Sequence, residues 1–244
     1  IDIEAHASTV HRILELKKKH DLVILGHNYM EPLVFGISNS NEQGDSLGLS
    51  MSAVQTDSQY IIFNGVRFMA ETAKILNPEK TVLIADKTAG CSLADDFGAS
   101  DIKKLKQKYP GIPVMIYINS YAEAKAECDV CCTSANAEKI AMEMPGEDLI
   151  FVPDLFFAQN LEMVLKGKKN IIYPGSENDS KGAVCQVHEK FTLVDIQSVR
   201  RSFGIDKEDE SGMLYVHWEC KPEVLKEADF YGSHSQKRNA IALR

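Results

Sequence analysis

Short apolar runs in this 244-residue chain end, one after another, in residues able to bind ligands or move protons. His27, Asn28 and Tyr29 follow VILG; Tyr117, Asn119 and Ser120 close VMIYINS; His217, Glu219 and Cys220 close MLYVHWEC. A second set of runs ends in Asn64, in Thr133-Ser134 and in Ser233-His234-Ser235. Imidazoles, carboxylates and phenols are the side chains of general acid–base work, while hydroxyls and amides hydrogen-bond to substrate carboxylates. Two cysteines stand in similar phase, Cys91 in ADKTAGCSLAD and Cys185 in YPGSENDSKGAVCQVHEKF. Thiolates at equivalent ends of repeated segments point to a shared metal centre, iron–sulfur or zinc. Three protein ligands on a cubane would leave one iron open, a Lewis acid for a substrate oxygen. The pair Cys128-x-x-Cys131 has no second CxxC or HxxxH to complete a zinc knuckle, and Cys132 beside it reads as packing.

The elements that must position these groups are visible in the hydrophobic periodicity. Runs rich in β-branched residues at 21–26, 59–64, 80–85, 113–118, 148–153, 169–173 and 213–217 read as strands, with shorter candidates at 128–132 and 229–231. Helical patterns lie between them: VRFMAETAKIL at 66–76 is closed by Asn77-Pro78, and ANAEKIAMEM at 135–144 by Pro145-Gly146. Continuous apolar strands separated by helices predict parallel sheets buried on both faces, an α/β fold. Ligands in such sheets gather beyond the carboxyl ends of the strands. The pattern recurs with a period of roughly 90–100 residues, too long for a solenoid and suited to βαβαβ units. We therefore expect three pseudo-repeated three-layer αβα units around a pseudo-threefold axis, their polar strand ends facing one cavity. The units are 1–105 with an N-terminal helix, 106–205 and 206–244. By comparison with the first two, the third is incomplete at its C-terminus, ending about 40–60 residues early.

Composition narrows the partners. Hydrophobic content of 44% and charged content of 25% are those of a globular protein. A net charge of -8 argues against nonspecific nucleic-acid binding and leaves small molecules as partners. No apolar run approaches the ~18 residues of a membrane span. The opening segment carries Val10, Ile13 and Leu14 at helical spacing broken by charges, unlike a signal peptide. The expected compartment is the cytoplasm, where six cysteines are ligands or buried thiols rather than a disulfide framework.

In order along the chain, ILGHNY, GDSLGLS, FNGVRFMAETAKILNPEKTVLIAD, AGCSLAD, YINSYAEAKA, CTSANA, CQVHEKF, HWEC and GSHSQ resemble the signatures of the quinolinate synthase A family over about 20–236. That resemblance implies three like-folded domains around a 4Fe–4S cluster. It also implies an enzyme that condenses iminoaspartate with dihydroxyacetone phosphate, losing water and phosphate, to give quinolinate for NAD biosynthesis. It implies that Cys91 and Cys185 ligate the cluster, with a third ligand in the C-terminal part of the last domain, and that Cys220 is not a ligand. His27 and Tyr29 resemble an HxY pair, His27 holding a carboxylate or shuttling protons and Tyr29 serving as a phenolic acid/base. Ser46, Tyr117, Asn119 and Ser134 resemble the cradle for the diacid carboxylates, and Ser134 also sits where a helix N-cap is expected. His217 and Glu219 resemble an HPE word, with Glu219 the proton-abstracting base. His188 and Glu189 are expected to support Cys185 by hydrogen bonding. Helix N-termini and Ser235 are the expected grip on phosphate, and functional coupling to the enzyme that produces iminoaspartate is the expected partnership.

The chain departs from the family pattern in three places. Trp218 replaces Pro beside the expected base, His234 replaces Thr in GSTSQ as a substrate contact, and the loop at 176–184 is longer. These changes keep open a homologous iron–sulfur condensing enzyme or (de)hydratase with a changed substrate, and, further off, a metal-binding regulatory protein on the same fold.

Overall fold

The computed structural model describes residues 3–175, 182–207, 213–233 and Gln236. Contacts divide the chain into two compact units, Ile1–Cys91 and Ser92–Arg244. Three parallel sheets lie within them, separated by helices, so the fold is α/β.

In the first unit, β1 (Leu22–His27), β2 (Gln43–Gly44), β3 (Tyr60–Asn64) and β4 (Thr81–Ile84) form one sheet in the order β2-β1-β3-β4. Helices Ile3–Lys19, Ser46–Gln55 and Arg67–Leu76 accompany it. The centre is apolar, with Leu25, Leu49, Ala53 and Ile61 wholly removed from solvent. The expectation of strands buried on both faces holds at the interior β1 and weakens outward. Along the outer β4, residues alternate between exposed and half-buried, and Leu83 is 48% exposed.

In the second unit, β5 (Val114–Tyr117), β6 (Val130–Cys132), β7 (Asp148–Val152) and β8 (Asn170–Ile172) follow the same plan, β6-β5-β7-β8. Every residue of β5 is buried, as are Leu149–Val152 of β7. A further pair, β9 (Tyr215–Val216) and β10 (Phe230–Tyr231), lies parallel in the order β10-β9. The two starts share one device. Asp129 accepts a hydrogen bond from the Val114 amide through Oδ2 at 2.7 Å, and its own amide donates to the Val114 carbonyl at 2.9 Å. Asp229 makes the same pair of bonds with Leu214, at 2.7 and 3.0 Å. Each aspartate locks the incoming short strand against its neighbour. Asp229 additionally accepts from Arg200 Nη2 at 2.8 Å, and its side chain is only 9% exposed. Burial opposes its ionisation, but Arg200 and the Leu214 amide outweigh that and hold its carboxyl below the usual range. Asp229→Asn should therefore destabilise the protein by about 1.5–3 kcal/mol at neutral pH. Because the folded pKa is depressed, this contribution is complete above the ordinary aspartate range and disappears as pH falls through the folded pKa. Urea melts of wild type and variant at neutral and acid pH check it, the gap closing in acid.

Strand register corrects one alignment expected from sequence. His27 pairs with Gly44 at the end of β1, and Tyr117 with Cys132 at the end of β5. The counterpart of the Thr133-Ser134 word is therefore Asp45-Ser46 after β2, not Asn64 after β3. The two-residue β2 carries no apolar run, so periodicity could not find it.

Candidate functional site

Glu219 lies in the turn that follows β9 and is 2% exposed. A buried carboxylate must be paired or hydrogen-bonded, and this one is both. Its Oε2 lies 3.0 Å from His188 Nδ1 and 3.1 Å from His217 Nδ1, while Oε1 accepts from Asn119 Nδ2 at 3.2 Å. The two imidazoles stack with centroids 4.8 Å apart and planes 21° from parallel. Burial disfavours the Glu219 anion, yet the hydrogen bonds and charges of His188 and His217 prevail and hold it ionised, well below the usual range. Burial likewise pulls His188 down, but Cys185 and Glu219 overcome it and raise it to about 10.

Cys185 joins through the same ring: its Sγ is 3.1 Å from His188 Nδ1. Cys185 and His188 stand at one turn, the Glu189 amide donating to the Cys185 carbonyl at 3.0 Å, and His188–Lys190 continue as a 3-10 helix. The chain reaches this turn along the end of β7. Asp154 bridges Ala183 in parallel fashion, and the Leu155 amide donates to the Ala183 carbonyl at 2.9 Å. Only glycine fits just before it, because a Cβ at Gly182 would lie 2.8 Å from the Pro174 carbonyl and 2.9 Å from Leu155 Cβ.

Asp154 itself had no assigned role in the sequence. It is wholly buried and caps helix Leu155–Val164, its Oδ1 accepting from the Phe157 amide at 2.7 Å. Burial first and the Glu219 charge second push its pKa well above the normal carboxylate range, the opposite direction to Glu219. Asn160 is the other side chain that the sequence did not reveal. Its Nδ2 donates to the carbonyls of Trp218 and Cys220 at 2.8 and 2.7 Å, fixing the backbone on both sides of Glu219.

Within the second unit, then, Cys185, His188, Asn119, His217 and Glu219 come together. Tyr117 is buried on β5 with its ring edge-on to Phe157 at 5.1 Å. Ser134 lines a cavity of about 370 Å³ with Ala135, Trp218 and Tyr231. It does not cap the following helix; Asn136 stands at the N-cap of Ala137–Glu143, and its Oδ1 accepts from the Thr133 amide at 2.7 Å. Trp218, the residue that replaces Pro before Glu219, is 4% exposed, its ring stacked on Phe157 at 5.3 Å and edge-on to Tyr231 at 4.8 Å. His234 and Ser235 lie outside the described residues.

The first unit carries His27, Tyr29, Ser46 and Cys91. His27 ends β1, is buried, and accepts from the Tyr29 amide at Nδ1 over 3.3 Å. Burial lowers it to about 4 against the opposing charge of Asp45, so a neutral ring presents Nε2–H. The Tyr29 ring meets it edge-on at 4.7 Å and is 57% exposed. Ser46 opens helix Ser46–Gln55, behind the N-cap Asp45. Cys91 is half-buried and follows β4, just as Cys185 follows β8. Cys132 and Cys220 are buried, Cys220 packing with Val216, Val224 and Leu225, and burial pushes Cys128 up to about 12. Among the described residues no helix is long and apolar enough to cross a membrane.

A family model, quinolinate synthetase A protein (NadA), matches residues 11–242. The chain belongs to the quinolinate synthetase A family. Within this family it is 44% identical over 234 residues to quinolinate synthase 2 of Mesorhizobium japonicum, covering 96% of this chain and 67% of that protein. Quinolinate synthase 1 of the same organism is 40% identical over 243 residues, covering 99% and 70%. A quinolinate synthase of Xylella fastidiosa is 42% identical over 245 residues, covering 100% and 65%. The chain thus spans 65–70% of the length of these quinolinate synthases.

Cys91 in the first unit and Cys185 in the second are each partly accessible thiols, donors of the type an iron–sulfur centre takes, and the Cys185 sulfur has an imidazole nitrogen 3.1 Å away.

Proposed function

We propose that this protein acts as a quinolinate synthase, condensing iminoaspartate with dihydroxyacetone phosphate to quinolinate in NAD biosynthesis. The observation that carries this reading is the convergence of two imidazoles and an amide on the buried Glu219, with Cys185 at the same His188 nitrogen. The reaction needs protons removed beside an imine and delivered to leaving oxygens, and such a carboxylate–imidazole array can do both. Cys91 and Cys185 would hold a 4Fe–4S cluster, which when bound supplies a Lewis-acidic iron.

The protein's own groups do the rest. Glu219 takes a proton from the substrate carbon, while His188 and His217 return protons to departing oxygen. Asn119 fixes the Glu219 carboxylate and, with Ser46, Tyr117, Ser134 and His234, hydrogen-bonds the diacid. His27 offers Nε2–H to a carboxylate, and the exposed Tyr29 phenol transfers a proton near the condensing carbons. This assignment requires three like units about a pseudo-threefold axis, so that residues from different units meet. A cytoplasmic enzyme coupled to the source of iminoaspartate completes the reading.

A second reading, a homologous condensing enzyme with another substrate, draws on Trp218, whose ring lines the cavity beside Ser134. One experiment separates them. After anaerobic reconstitution with iron and sulfide, the chain is given iminoaspartate and dihydroxyacetone phosphate, and quinolinate is measured by mass spectrometry. Quinolinate formed in many turnovers supports the first reading. A brown, cluster-loaded protein that forms none favours the second, and a protein that stays colourless removes the cluster from both.

A further inference from the structure

We propose that the outer edge of β4 is a self-association surface, on which two copies of this chain pair their β4 strands antiparallel about a two-fold axis at Leu83. β4 ends the first unit's sheet, and among the described residues its backbone is hydrogen-bonded to β3 alone. The Thr81 amide donates to the Gln59 carbonyl at 2.9 Å, so Thr81 and Leu83 turn their amides and carbonyls towards β3. Val82 and Ile84, the alternate residues, turn theirs to the open edge. Such a row of groups is a template for another strand, and proteins blunt it with short strands, charges and prolines. The counterpart in the second unit is blunted: β8 has three residues, Lys168 and Lys169 stand before it, and Pro174 follows soon after. Residues 81–85 around β4 carry neither charge nor proline, and Leu83 is half exposed.

The residues around the strand identify a second copy as the occupant. EKTVLIADK, at 79–87, places opposite charges at mirror positions about Leu83. Antiparallel pairing centred there sets Val82 against the partner's Ile84, Lys80 against the partner's Asp86 and Glu79 against the partner's Lys87. The hydrogen bonding agrees with this register. In an antiparallel ladder, pairs that exchange two bonds alternate with closer pairs that exchange none. Val82 and Ile84 both face outward, so each of their pairs makes two bonds, and the two Leu83 side chains meet in the closer position. A one-residue slip would set an outward residue against an inward one, and a two-residue slip would lose both charge matches. On the exposed face Leu83 is level with Ile62, so the pairing extends an apolar strip across the axis. Lys80 Nζ is committed to the Ala53 and Thr56 carbonyls, and Asp86 Oδ1 to Thr88, so these two supply sign rather than contact. Glu79 and Lys87 are exposed and able to meet.

The test follows the molecular mass of the 244-residue chain by sedimentation equilibrium over a wide concentration range. The expected result is a monomer–dimer equilibrium with a Kd on the order of 10–100 µM, because an edge this short buries little surface. Leu83→Lys brings two ammonium groups together at the axis and should weaken association at least ~10-fold, like charges directly opposite being destabilising. Glu79→Lys turns two attractions with Lys87 into repulsions and should weaken it by about 10-fold. Adding Lys87→Glu to that variant exchanges the charges and should restore association to within about threefold of wild type. Circular dichroism of each variant establishes that it is folded, and if Leu83→Lys does not fold the charge exchange decides. The proposal is overturned if the chain stays monomeric up to about 1 mM, far above the Kd expected of even a weak interface, which leaves the edge to another occupant. It is equally overturned if Leu83→Lys associates as wild type does, or if the charge exchange fails to restore association, which rejects the antiparallel register.

Discussion

Glu219→Gln is expected to lower quinolinate formation by about 10³-fold while leaving the iron and sulfide content of the reconstituted protein unchanged. The magnitude follows from what the amide changes. Gln keeps the shape and accepts one hydrogen bond through its oxygen, so Asn119 or one imidazole remains satisfied. It cannot accept a proton, and its NH₂ faces an imidazole nitrogen that had been a donor to Oε2. With the anion gone, His188 loses one of the two groups that raise it, so the array loses its base and weakens its acid together. Steady-state assays read the loss, and the absorption of the cluster shows that Cys185 is undisturbed. A variant retaining more than about a tenth of wild-type turnover would remove Glu219 from proton transfer.

Trp218→Ala is expected to cost about 3–5 kcal/mol, the range for truncating a buried aromatic. The ring is clasped between Phe157, on the helix behind β7, and Tyr231 of β10, so its loss opens a void where two sheets' elements meet within the second unit. For a chain of this size that corresponds to a fall in Tm of roughly 10 °C. Trp218→Phe, which keeps the stack on Phe157, should recover more than half of it. Thermal denaturation followed by circular dichroism checks both. A loss below about 1 kcal/mol in Trp218→Ala would show that the ring packs loosely and leave its effect on the Ser134 cavity as its main consequence.

The strands were legible because buried parallel strands are continuous runs of β-branched and aromatic residues. VMIY and LIFV are such runs, and β5 and β7 lie where the pattern places them. Gln43–Gly44 is not such a run. Its two residues are held by pairing with β1, a long-range fact that no local window contains, and the alignment of Ser46 slipped with it. The site divides in the same way. His217, Glu219 and Cys185 sit at strand ends or in the turns beyond them, where chemistry is expected, but the meeting of His188 with Glu219 joins segments 31 residues apart in sequence. Asn160 was illegible for a physical reason: a polar residue in a helix reads as solvent-facing until its backbone acceptors, 58 and 60 residues away, are known. Asp154 carried the ordinary signal of a helix cap, and that signal concealed a buried acid next to a buried anion.

The paired aspartates Asp129 and Asp229 have a consequence for how this architecture changes over time. Each secures a short strand through bonds to backbone atoms, which are the same whatever side chain the strand bears. The residues that follow the two strands are consequently at liberty to differ: Tyr117 and Asn119 in one place, His217 and Glu219 in the other. One frame thus displays a phenol and an amide at one address and an imidazole and an acid at the next. Side chains beyond a strand start held in this way can change, and the local chemistry can drift, without the strand having to refold.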